Sequence, residues 1–315
     1  MQPIIAPIAT DLILQELTPD KLLRPTNKGR NSIYVFSAHE APNTMREVGR
    51  LREEAFRAGG GGTGLGCDID EYDLDEKGYK QLIVWNPEAQ VIVGGYRYML
   101  GADVIAHPRG TNILATSHMF DYSEEFVQDV LPYTIELGRS FVSPEFQSTR
   151  FHHLSIFALD NLWDGLGALT VLNPEIQYFF GKVTMYANYN RRCRNLILHF
   201  MQRHFYDHRH LVTPKEPLTI DVDLEEMDRL FAAGSLSADY LALKKEVRKT
   251  GISIPPLFSA YISLSPQLLF LGTAINYEFS EVEETGILIR IDQILEEKKE
   301  RHINTFRREE SDSLA

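Results

Sequence analysis

A mixed α/β sheet with helices on both faces is the fold this sequence predicts, and three observations predict it. Short β-branched and aromatic runs alternate with longer segments of helical periodicity. Two of those runs, 82–85 and 91–100, are joined by Asn86-Pro-Glu-Ala-Gln90, a hairpin connection. A third, 133–144, reads as a buried central strand: Ile135, Leu137, Phe141 and Val142 are apolar, and Pro144, which has no N–H to donate, ends the ladder. Glu136 and Arg139 interrupt it.

Residues 1–30 hold a short apolar patch (Leu12, Ile13, Leu14, Leu17) and a polar connector, an N-terminal arm. Residues 32–36 are a first strand. An amphipathic helix follows over 43–57, with Met45, Val48, Leu51 and Phe56 near helical spacing and Arg46, Arg50 and Arg52 among them. The glycine-rich stretch 59–66 fails as a phosphate loop, because no Lys-Ser or Lys-Thr follows its last glycine, and predicts a flexible connector. The acidic run after it matches a calcium loop only at Asp68 and Asp70. Tyr72 stands at the third ligand position and Asp73 where glycine is required, so no metal site is expected.

Residues 123–130 predict a short helix before the central strand. After it, 151–172 predict one long helix with Leu154, Phe157, Ala158, Leu162 and Leu166 as its stripe and Asn173-Pro174 as its stop. Residues 177–186 predict an apolar strand, and 190–205 a helix opening with Arg191, Arg192 and Arg194. Helices over 224–233, 238–250 (stopped by Gly251) and 255–263, and strands over 269–279 and 284–294, complete the pattern. The charged tail from Glu296 is expected to fray. The expected organisation is an arm over 1–30, a core over 31–210, and an extension over 211–315 that completes the sheet.

The net charge of −12, from 32 basic and 44 acidic residues, argues against nucleic acid as a partner, since phosphate binding needs a basic face. Two cysteines are too few for a disulfide framework, and a reducing cytoplasm is the expected setting. No run reaches the roughly 18 apolar residues of a spanning helix, which makes a pore-former improbable and leaves only peripheral membrane contact.

An ionised side chain in a central strand is costly unless paired or used. Strand side chains alternate faces, so Glu136 and Arg139 should point opposite ways unless a bulge near Gly138 brings them to one side. From the residues alone, a structural ion pair and a functional pair both fit.

Four pieces in fixed order then carry a family likeness: Leu51-Arg-Glu-Glu-Ala-Phe56; Asp68, Asp70 and Asp73 in acid-x-acid-x-x-acid spacing; Val93-Gly-Gly-Tyr-Arg97; and Glu136-Leu-Gly-Arg139-Ser-Phe-Val. The chain resembles the GNAT-fold, "hemolysin-like" N-acyltransferases that open ornithine-lipid and glycine-lipid synthesis and use acyl carrier protein. It resembles more distantly the acyl-homoserine-lactone synthases. The likeness covers residues 32–205 well and the last third loosely. With it, the functional reading of Glu136 and Arg139 overtakes the ion pair.

The resemblance implies a GNAT-like sheet and transfer of a 3-hydroxyacyl chain from carrier protein to the α-amine of glycine or ornithine. No permanent cofactor is implied, since the phosphopantetheine thioester is the donor itself. Glu136 is implied as base with Arg139 beside it, and backbone N–H groups near Ser140, Phe141 and Val142 as the oxyanion site. Arg52 and Arg97 are candidates for the acceptor carboxylate, or for pairing with the acidic cluster, in which Asp70 and Asp73 read as scaffold. Arg150, Arg191, Arg192 and Arg194 are candidates for docking an acidic carrier protein. One departure bears on the donor: coenzyme A-using GNAT enzymes carry a glycine-rich pyrophosphate loop after the central strand, and residues 143–153 contain no glycine. The alternatives are a coenzyme A-dependent acyltransferase and a non-catalytic acyl-binding protein of the same fold.

Overall fold

The structure, a computed structural model, describes residues 1–147 and 152–307. Its first half runs α1 (Thr10–Glu16), β1 (Leu22–Pro25), β2 (Ser32–Phe36), α2 (Pro42–Gly59), α3 (Glu71–Leu74), β3 (Lys80–Asn86), β4 (Val91–Leu100), α4 (Gly101–Ala106), β5 (Phe120–Tyr122), β6 (Thr134–Val142) and α5 (Pro144–Gln147). The second half runs α6 (His152–Leu172), β7 (Tyr178–Met185), α7 (Arg191–Phe205), β8 (Val212–Pro214), α8 (Leu224–Leu230), α9 (Leu236–Arg248), α10 (Pro256–Leu264), β9 (Leu269–Asn276), β10 (Val282–Arg290) and α11 (Glu296–His302).

Among the described residues eight strands form one sheet, in the order β1-β2-β3-β4-β6-β7-β10-β9. Every neighbouring pair is antiparallel except β6 with β7. A parallel step needs a long crossover, and α6 is the helix of that crossover. Alternation along the strands sends Leu82 to one face and Ile83 to the other. Leu82, Val84, Val93 and Tyr96 pack with Leu162 and Leu166 of α6, whereas Ile83, Trp85 and Ile92 pack with Val48 and Leu51 of α2. Each fully buried leucine of this kind stabilises by roughly 1.5–3 kcal/mol. The α2 face holds a further cluster around Met99, Phe126, Phe180 and Leu288. The mixed α/β sheet with helices on both faces is therefore borne out.

Two irregularities shape the centre. Pairing of β6 with β7 covers Thr134↔Tyr178 to Leu137↔Gly181 and stops there, so the two strands part beyond Leu137. On its other edge β6 carries a bulge against β4: Arg97 pairs with Gly138 and Gly95 with Phe141, so Arg139 and Ser140 together oppose Tyr96. Arg139 takes the left-handed conformation at φ 50°, rare for a residue with a long side chain.

Three segments depart from the sequence reading. The arm is not merely a connector: β1 pairs with β2 and extends the sheet. The glycine-rich stretch is tied rather than loose, because the Thr63 and Gly64 N–H groups donate to the Glu53 carboxylate at 3.0 and 2.8 Å. Those amides hold the protein's own carboxylate where a phosphate loop would hold an anion. The tail from Glu296 does not simply fray either. It forms α11, with His302 buried and its Nδ1 2.8 Å from Asp164 Oδ1. Helical Gly167 makes this close approach feasible, since a Cβ there would lie 1.9 Å from the His302 carbonyl oxygen. No helix among the described residues is long and apolar enough to cross a membrane.

Candidate functional site

The charged side chains of the centre gather on the α2 face, between its two apolar clusters. The bulge does this. Glu136 lies opposite Met99 in β4 and so shares the face of Arg97, two residues away. Arg139 would point to the other face in a regular strand, but the bulge turns it back. Its guanidinium stacks 4.5 Å from the Phe279 ring centroid, while that of Arg97 stacks 4.6 Å from Tyr79. Glu136 and Arg139 thus stand on one side, as a bulge near Gly138 predicts. They are not paired with each other. Arg139 Nε lies 3.0 Å from Asp68 Oδ2, without hydrogen-bond alignment, and its Nη2 lies 3.6 Å from Asp70.

The acidic motif anchors the arginines. Asp70 caps α3 in a reciprocal capping box with Asp73 and takes both carboxylate oxygens to Arg97 Nη1 at 2.7 and 2.8 Å. Asp73 accepts from Arg52 at 3.0 Å and from the Gln81 side chain at 2.9 Å, and it pairs with Arg97 at 3.1 Å. Burial alone would raise the Asp70 carboxyl, but Arg97 and Arg139 outweigh it and hold that carboxyl well below its ordinary range. Asp68 is fully buried, and there burial wins and pushes its carboxyl up. Asp70 and Asp73 hold arginines in place, which is a scaffold's work. Among the described residues no cluster of three or more potential ligands is arranged to hold a metal ion.

Arg52 and Arg97, read as candidates for an acceptor carboxylate, are turned into this cluster. Their side chains are 0% and 2% exposed. Pairing with the acidic motif, the other reading, describes both.

Glu136 is 1% exposed, and its Oε2 has no hydrogen-bond partner among the described residues. Burial pushes its carboxyl up to about 6, against the Tyr79 hydroxyl, the charges of Arg97 and Lys182, and the Thr116 hydroxyl. A carboxylate near 6 is ionised at neutral pH and basic enough to accept a proton there.

Lys182 went unread in the sequence, although it interrupts a strand read as apolar just as Glu136 interrupts β6. It is the first residue of β7 past the last pair with β6. Its Nζ donates to Glu284 of β10, which also accepts from Thr184 Oγ1 at 2.8 Å. Burial would raise Glu284, but Lys182 and Thr184 more than offset it. Tyr79 and Thr116 come from loops and left no signal in the sequence.

A cavity of about 50 Å³ opens where β6 and β7 part. Leu162, Trp163 and Leu166 of α6 and Leu257 and Tyr261 of α10 wall it, and Gly138, Arg139, Ser140 and Lys182 form its charged end. Trp163 meets Tyr261 edge-on at 5.8 Å, an aromatic wall beside the parted strands. Phe179 and Phe180 are core side chains. The β7-facing edge of β6 beyond Leu137 carries no strand, and Ser140, Phe141 and Val142 lie along it; Phe141 and Val142 pair with Gly95 and Gly94 on the other side. A larger cavity of about 310 Å³ between α7 and β9 is lined by none of the charged residues named above.

The basic cluster needs correction. Arg194 is 5% exposed and bonds Glu283 at 2.7 Å, so it belongs to the interior. Arg191 and Arg192 are on the surface, where Arg192 pairs with Glu226. Arg150 lies outside the described residues. So does part of the stretch that replaces a pyrophosphate loop. Its described part is α5 with Ser143 before it, where the Ser143 and Phe146 N–H groups already bond the Val93 and Ser143 carbonyls.

Comparison with known proteins places this geometry. The family model described as "Acetyltransferase (GNAT) domain" matches residues 51–156. A glycine N(alpha)-acyltransferase of Bacteroides thetaiotaomicron is 59% identical over all of this chain and 93% of its own length. Another from Phocaeicola vulgatus is 55% identical over all of this chain and 96% of its own. Among solved structures, a coenzyme A-dependent acyl-homoserine lactone synthase, BjaI with MTA, covers 86% of this chain and 89% of its own at 13% identity and a TM-score of 0.37.

Proposed function

This chain belongs to the GNAT acyltransferase family of those two bacterial relatives, and from that premise we propose that it moves a 3-hydroxyacyl chain from acyl carrier protein to the α-amine of glycine, the first step toward an amino-acid lipid. One observation carries the reading: Glu136, a buried carboxyl pushed up to about 6, stands in β6 two residues before Gly138, which lines the cavity where the central strands part.

Glycine arrives as an ammonium ion and must lose a proton to attack. Glu136 takes that proton, directly or through a water. The free amine then adds to the thioester carbonyl. The developing oxyanion faces the edge of β6 that β7 leaves open at Ser140, where a backbone N–H supplies the stabilisation. Collapse breaks the carbon–sulfur bond. The pantetheine thiolate takes up a proton, and amide, thiol and one net proton leave. Arg139 keeps the site cationic. The acyl chain lies along Trp163, Leu166 and Tyr261. The product is an amphiphile, which suits an enzyme of the cytoplasm working peripherally at the inner face of the membrane.

The test is incubation with 3-hydroxyacyl carrier protein and a panel of amino acids, with products read by mass. N-Acylglycine is expected to dominate; a dominant N-acylornithine would replace the acceptor, and no product with any amino acid would overturn the proposal. The donor is tested by competition between the same chain on coenzyme A and on carrier protein. A higher kcat/KM is expected for the carrier protein, because the Ser143 and Phe146 N–H groups, in the stretch that replaces a pyrophosphate loop, already donate to the Val93 and Ser143 carbonyls. Equal or better use of the coenzyme A thioester would assign that donor instead.

Arg191 and Arg192 open α7, directly after β7, one wall of the parted strands, and are the surface arginines offered to an acidic carrier. Reversing both to glutamate is expected to slow association about tenfold at low salt and to flatten its salt dependence. An unchanged KM for the carrier-bound donor at low ionic strength would place docking elsewhere.

A further inference from the structure

We propose that Lys182, together with Arg139, receives the carboxylate of the amino-acid acceptor. This rests on the N-acyltransfer reading and names the group that lets the site select an amino acid over a plain amine. Four cations surround the site, and the structure separates them. Arg52 and Arg97 are sealed in the acidic cluster, with side chains 0% and 2% exposed. Lys182 and Arg139 retain 12% and 14% exposure, and both line the cavity at the parted strands. They also have donors to spare. An ammonium has three N–H groups, and Lys182 gives one to Glu284 among the described residues. Among the described residues Arg139 lies against Asp68 and Asp70 yet makes no aligned hydrogen bond, and its buried Nε has no partner there.

Two cations share the mouth of one cavity: burial depresses the Lys182 ammonium, and Arg139 depresses it further against the pull of Glu284. An anion between them relieves that repulsion. The strand register suits an α-amino acid, whose amine and carboxylate are one carbon apart: Phe180 of β7 pairs with Glu136, so Lys182, two residues on, shares the face of Glu136. A carboxylate held by Lys182 therefore leaves the amine facing the base. Glu284, fixed by Thr184, is the positioning residue that aims the ammonium.

The experiment compares glycine with glycinamide, the same amine without the carboxylate. In the wild type kcat/KM should favour glycine. In Lys182→Met that preference should fall about 10- to 100-fold, mostly through the KM for glycine. Because Lys182→Met leaves Glu284 buried without its partner, Lys182→Met/Glu284→Gln is run beside it, with melting temperatures to confirm folding. An equal loss toward both acceptors overturns the inference and assigns Lys182 to the base or the fold. Binding of N-dodecanoylglycine and N-dodecanoylglycinamide, measured by calorimetry without donor, separates the two claims. Equal wild-type affinities overturn the carboxylate site even where glycine is acylated. A Lys182-dependent preference for the carboxylate, in a protein that acylates no amino acid, upholds the site and overturns the N-acyltransfer reading.

Discussion

Glu136→Gln is expected to fold, to lose about 100- to 10,000-fold in kcat, and to be more stable than the wild type at neutral pH. The two effects share one cause. Burial lifts the folded-state pKa of Glu136 to about 6, above the 4.5 of a free glutamate. A carboxyl whose pKa rises on folding releases its proton more readily when unfolded. It therefore costs stability above pH 6, costs progressively less between 6 and 4.5, and costs nothing below. The cost at pH 7 is about 2 kcal/mol. Glutamine removes it while keeping an oxygen for the Tyr79 and Thr116 hydroxyls. The wild-type rate should rise with pH through about 6 and level off, because only the ionised carboxylate accepts the proton; the residual rate of the variant should lack that step. Wild-type turnover in the variant removes Glu136 from the chemistry, and a lower melting temperature at pH 7 shows that its charge supports the fold.

Asp73→Ala is expected to cost about 3–5 kcal/mol of stability, the range for leaving buried charges without their partner. Asp73 is 1% exposed and holds Arg52, Arg97 and Gln81 together. Asp70→Ala should cost less, since the Asp70 side chain is 25% exposed and Arg97 would keep Asp73. Urea midpoints at constant slope measure both. If Asp73→Ala unfolds like the wild type and only the acceptor KM rises, the acidic motif contacts substrate rather than supporting arginines.

The residues that made the site legible obey local rules. Period-two alternation marked Glu136 as buried, and the three-residue step to Arg139 demanded a bulge, which the structure has. The same rule, applied to 178–185, marks Lys182 as a charge inside a buried strand. It was passed over because its partner, Glu284, lies 102 residues away. Arg194 is the converse. It follows Arg191 by three residues and so shares its helix face, and only the arrival of Glu283 on β10 draws it inside. Tyr79 and Thr116 reach Glu136 from separate loops, and no periodicity announces such a meeting. Sequence patterns report which side of an element is buried; they are silent about which distant element buries it.

Asp164 lies where the β1–β2 connection meets the end of α11. Asn27 donates to it from its backbone N–H at 3.0 Å and its side chain at 2.8 Å, and His302 approaches from the other side at 2.8 Å. Asn27 also bonds the Arg301 carbonyl and Thr305. This knot sits on α6, whose neighbouring Trp163 walls the cavity at the parted strands. On the ribosome it cannot close until α11 has emerged, and the sheet cannot close until β10, the neighbour that covers β7, has emerged. Until then β7 presents a bare edge. Contacts of such long sequence separation form slowly, and an open apolar strand invites pairing with another chain. The interval between the synthesis of β7 and that of β10 is therefore the one in which this edge is open to mispairing.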